Sequence, residues 1–131
     1  MVTKDDIASY IERLDSGSAT SDEVEPGLWL VRSGDDTEVV VNYAEPVVIM
    51  RVRVMELPAD HDKRCDLYRR LLELNARELV HGSYGLEGDH IVWTDALELA
   101  NLDFNEFESS FDSVLLALRS HLGTLAPFGE R

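Results

Sequence analysis

The sequence predicts an α+β protein: an antiparallel five-stranded sheet with its helices packed on one face, in the order α-β-β-β-α-β-β-α. Three observations carry that reading. Residues 62–80 and 104–122 repeat apolar side chains at helical spacing. Within residues 47–55, Val48, Met50, Val52 and Val54 alternate against Arg51 and Arg53 with the period of a strand. Short β-prone runs are joined by turn-forming residues, the pattern of antiparallel hairpins. Runs of strands set between helices, with no regular βαβ alternation, pack most economically as a sheet covered on one side.

Each element has a local reason. Thr3 stands three residues before Asp6, a capping pair, and Ile7, Tyr10, Ile11 and Leu14 give the first helix one apolar face. Residues 15–22 have loop composition and end it. After Pro26 and Gly27 comes a first strand at 27–32. A turn at 33–36 and a second strand at 38–43 follow, with Val39, Val41 and Tyr43 on one side of the pleat. Pro46 breaks the chain because it cannot donate to a central ladder. In the third strand Val48, Met50, Val52 and Val54 face one way; Val47, Ile49, Arg51 and Arg53 face the other.

The middle helix, 62–80, carries two apolar rows. Tyr68, Leu72 and Leu79 form one, with Cys65 and Asn75 in register; Leu67, Leu71 and Leu74 form the other. A surface helix needs a single stripe for its own core. The surplus predicts a second body against this helix, most simply another copy of the chain, with Leu67, Leu71 and Leu74 as the contact. Gly82 is placed to stop the helix. A hairpin at 83–87 and 91–97 turns at Gly88-Asp89, with Tyr84, Leu86, Ile91 and Trp93 inward. Asp103, with Glu106 three residues on, caps a last helix striped by Phe104, Phe107, Phe111, Val114, Leu115, Leu118 and Leu122. Gly123 ends that helix, which leaves 123–131 as a frayed tail of one domain spanning 1–131.

Charge narrows the function. The chain has 26 acidic against 12 basic residues, a net charge of −14, which repels phosphate backbones and anionic lipid surfaces. No nucleic acid and no membrane is therefore expected as a partner. The first residues lack a basic segment followed by an apolar run, so no signal peptide is read there. The single cysteine, Cys65, fits a reducing compartment, and a cytoplasmic location is expected.

Catalytic patterns fail one by one. His61, His81, His90 and His121 are scattered, without zinc-ligand spacing, so no metal is expected. Cys65 lies on the apolar side of its helix with no activating base, which predicts an inert buried thiol. Gly82, Gly85 and Gly88 lack the lysine and following helix of a phosphate loop. Asp103-Phe-Asn105 opens like a calcium loop, yet Val114 stands where the bidentate carboxylate belongs. No cofactor is expected, and the sequence reads as a protein that works by contact. Trp29 and Trp93 read as core anchors.

The stretch Leu71-Leu-Glu-Leu-Asn75, then Gly82-Ser-Tyr-Gly-Leu-Glu-Gly-Asp89, Ile91-Val-Trp93 and Leu97-Glu-Leu99, completed by the helix at 104–122, resembles a known signature. It is that of the CesT/Tir-chaperone-like fold, shared by type III secretion chaperones and the YbjN-like family of bacterial regulators. The resemblance implies a small, acidic, homodimeric chaperone that holds an extended effector segment without ATP. Its YbjN-like branch implies instead a regulatory or scaffold protein binding a folded partner. Partners on either reading are a protein or peptide client and, for the chaperone, a second copy of the chain. Ile7, Ile11, Val47 and Ile49 are the expected client surface, with the client lying across helix 1 and the sheet as an added strand. Arg51 and Arg53 join it either as receivers of an acidic peptide segment or as ion-pair partners across a dimer. An ordinary salt-bridged strand face is the third reading of that pair.

Overall fold

The computed structural model describes residues 1–14, 19–34, 37–79 and 81–129. The elements run α1 (Lys4–Leu14), β1 (Thr20–Glu25), β2 (Leu28–Arg32), β3 (Glu38–Ala44), β4 (Val47–Glu56), α2 (His61–Arg77), β5 (Ser83–Glu87), β6 (His90–Glu98) and α3 (Phe104–Leu125). A 3₁₀ turn over Ala126–Phe128 follows α3. All strand pairs are antiparallel, in the spatial order β1-β2-β3-β4-β6-β5.

The sheet therefore has six strands where the sequence reading has five. The added strand, β1, falls in what reads as loop because Thr20-Ser-Asp-Glu-Val-Glu25 has no alternating apolar side. It is an edge strand, almost wholly exposed, and buries nothing that would leave a pattern. The turn expected at 33–36 lies partly outside the described residues.

Capping chemistry sets the helix starts. Thr3 and Asp6 exchange side-chain-to-backbone hydrogen bonds at α1. The Asp60 carboxylate accepts from the Lys63 N–H at α2. Asp103 and Glu106 form a reciprocal capping box at α3. Helix ends are read less well. α2 stops at Arg77 with Glu78 as its C-cap, so Gly82 is not the stop. Gly82 has φ +69° at the start of β5, where a Cβ would lie 2.4 Å from Trp93 Cζ2. α3 runs through Gly123 to Leu125, and Leu125 and Phe128 pack on the core instead of fraying.

One core lies between the inner sheet face and all three helices. Trp29, Val31, Val39, Val41, Val48, Met50, Val52, Tyr84, Ile91 and Trp93 supply the sheet side. Ile7, Ile11, Leu67, Leu71, Leu74, Phe107, Phe111 and Val114 supply the helix side. Both tryptophans are core anchors as expected, Trp93 fully buried. The alternation of β4 holds to Arg53 and then breaks at a bulge, because Arg53 pairs with Val92 while Met55 pairs with Ile91.

Candidate protein-binding surface

With every helix on one side, the opposite sheet face is left to solvent. Register places Leu30 of β2 beside Val40 of β3, Val40 beside Arg51, and Asn42 beside Ile49. Leu28, Leu30, Val40, Val47 and Ile49 on this face are each half-buried, an apolar band with no layer over it. Arg51 and Arg53 bound it. Arg51 lies 3.4 Å from Glu87, whereas Arg53 makes no ion pair among the described residues.

Several expected contact residues lie inside instead. Ile7 and Ile11 are in the core, at 0% and 1% exposure, because α1 turns its apolar face onto the sheet; neither is available to a client. Leu67, Leu71 and Leu74 are likewise in the core and cannot form an exposed dimer contact. The physical reason is that the core claims this row of α2 whole, while of the other row Tyr68 and Leu79 pack partly against the core and Leu72 is left outside. Leu72 is 67% exposed, Tyr68 half-buried, and Cys65 exposed on the same side, so the thiol is not buried as expected. What α2 leaves exposed is therefore Leu72 and Cys65, in the row opposite to the one expected.

Asn75, between those rows, has a definite task. Its side-chain N–H donates to the Tyr84 carbonyl at 3.1 Å, and its carbonyl oxygen accepts from the Tyr84 N–H at 2.8 Å. Tyr84 pairs with Trp93 in register, yet both its backbone polar groups turn away from β6 to meet Asn75. The carboxamide thus occupies the outward edge of β5 and blocks a further strand there. The opposite edge, β1, presents Asp22, Glu23 and Glu25.

A third stretch of open backbone lies within the sheet. Pairing of β3 with β4 ends at Val40–Arg51, while β4 continues along β6 to Glu56. β3 runs on to Glu38 but pairs there with β2 alone, and residues 54–56 reach beyond its end, without a partner on that side among the described residues. Beside this overhang runs a groove of about 850 Å³, whose other wall is Leu118, Leu122 and Leu125 of α3. Leu122 is 69% exposed, while His121 and Leu125 on the same turns of α3 are buried. The sequence held a sign of this: the strand after Pro46 is longer than the one paired to it, which leaves one end unmatched.

A buried polar cluster lies apart from the groove. The Tyr84 hydroxyl is 2.7 Å from His121 Nδ1, and His121 Nε2 is 3.7 Å from Glu78 Oε1. Burial pushes the Tyr84 hydroxyl up to about 12, so it keeps its proton and can donate to Nδ1. The cluster ties the end of α2, β5 and α3 together, and neither Tyr84 nor His121 lines the groove. Among the described residues no group of three or more His, Cys, Asp or Glu side chains could hold a metal. Among the described residues no helix is long and apolar enough to cross a membrane.

The arrangement defines a class: a one-sided α+β sheet whose bare face and overhanging strand offer apolar surface bordered by arginine. The chain belongs to the CesT_Tir_1 family, whose model matches residues 2–131. No curated protein matches it. Among solved structures it is similar to a chain of the ExoU–SpcU heterodimeric complex from the type III secretion system of Pseudomonas aeruginosa. That match has 14% identity and a TM-score of 0.61, and covers 95% of this chain and 98% of that one. It is also similar to a chain of the HopA1–SchA chaperone–effector complex, at 11% identity and a TM-score of 0.59, with 86% of each chain covered. At these identities the likeness is one of fold.

Proposed function

We propose that this protein is a chaperone-like binding module, homodimeric and cytoplasmic, that holds an extended segment of a protein client without ATP or catalysis. The observation that carries this reading is the uncovered apolar face of the sheet. Leu28, Leu30, Val40, Val47 and Ile49 are half-buried there with no helix over them, a surface that an extended client segment would cover. Family membership and the chaperone–effector complexes among its structural neighbours support the same reading.

Self-association is assigned to the outward strip of α2, Cys65, Tyr68 and Leu72, in place of the buried row. Covering one such leucine contributes on the order of 1.5–3 kcal/mol, and two-fold symmetry doubles each contact. Sedimentation at micromolar concentration tests it: a dimer that Leu72→Asp converts to a folded monomer supports the assignment, and a wild-type monomer ends it. Client binding is tested by co-purification from the native cell and mass spectrometry. A tagged chain that repeatedly enriches no protein, with Val47→Asp as the face-blocked control, refutes the chaperone reading.

A further inference from the structure

We draw no further inference here: the strongest candidate, the groove between β4 and the last turns of α3, sets Glu38 and Glu87 beside Arg51 and Arg53 along its apolar wall, and nothing in the structure shows what covers it.

Discussion

Replacing Asn75 with alanine sets two physical effects against each other. In a helix interior alanine is favoured over asparagine by roughly 0.5–0.7 kcal/mol, so propensity alone makes Asn75→Ala stabilising. The structure adds two hydrogen bonds, at 3.1 and 2.8 Å, to the backbone of Tyr84, whose residue is only 5% exposed. Each is worth about 0.5–1.5 kcal/mol net, and at this strand edge water replaces them only partly. The bonds win. The expected loss is about 1.5 kcal/mol, or roughly 6 °C in Tm for a chain of this size. Urea unfolding followed by far-ultraviolet circular dichroism and tryptophan fluorescence, with an unchanged m-value, measures it. Asn75→Asp keeps the acceptor and loses the donor, so it should fall between the two. With the β5 edge open, Asn75→Ala should also scatter more light as its concentration rises. A midpoint equal to or above wild type would mean that Asn75 neither holds nor guards that edge.

Further outcomes follow from the same geometry. Gly82→Ala should cost about 2–4 kcal/mol, because φ is +69° and the new Cβ falls against Trp93, whereas Gly85→Ala, with nothing within 4 Å, should stay within roughly 1 kcal/mol. Comparable losses for the two in denaturant unfolding would contradict the close approach. Leu71→Ala should lose about 2–5 kcal/mol as a core truncation, against about 0.5 kcal/mol or less for the exposed Leu72→Ala in dilute solution. The reverse order would restore the buried row to the surface. The Tyr84 hydroxyl ionises near about 12 in the folded chain against an ordinary 10.0. Its folded pKa is raised, so its contribution is complete below pH about 10 and is lost as pH climbs from there toward about 12. Absorbance at 295 nm should show a late-titrating tyrosine that Tyr84→Phe removes; an unaltered curve in that variant would count against it.

Local chemistry made much of the chain legible before any tertiary contact was known. Capping pairs at Thr3 and Asp103, the turns at Pro46 and Gly88, and the period-two run from Val47 to Arg53 act within a few residues, so they are written in adjacent letters. The resemblance carried by Asn75, the glycine turns and the last helix placed the family correctly. β1 was not legible, since an exposed acidic edge strand has no buried side and its pairing with β2 is made by the neighbouring strand.

The sequence by itself determined the helices, five of the six strands, the antiparallel arrangement and an excess of apolar surface on the middle helix. Only the tertiary structure decided where that excess lies. Periodicity counts apolar rows and cannot say which row the sheet will cover. Leu67, Leu71 and Leu74 went inside, Leu72 stayed out, and Ile7 and Ile11 were drawn into the core. The groove beside Arg53 is of the same kind: it exists because β4 outruns β3 while α3 passes alongside, a mismatch between segments far apart in the chain.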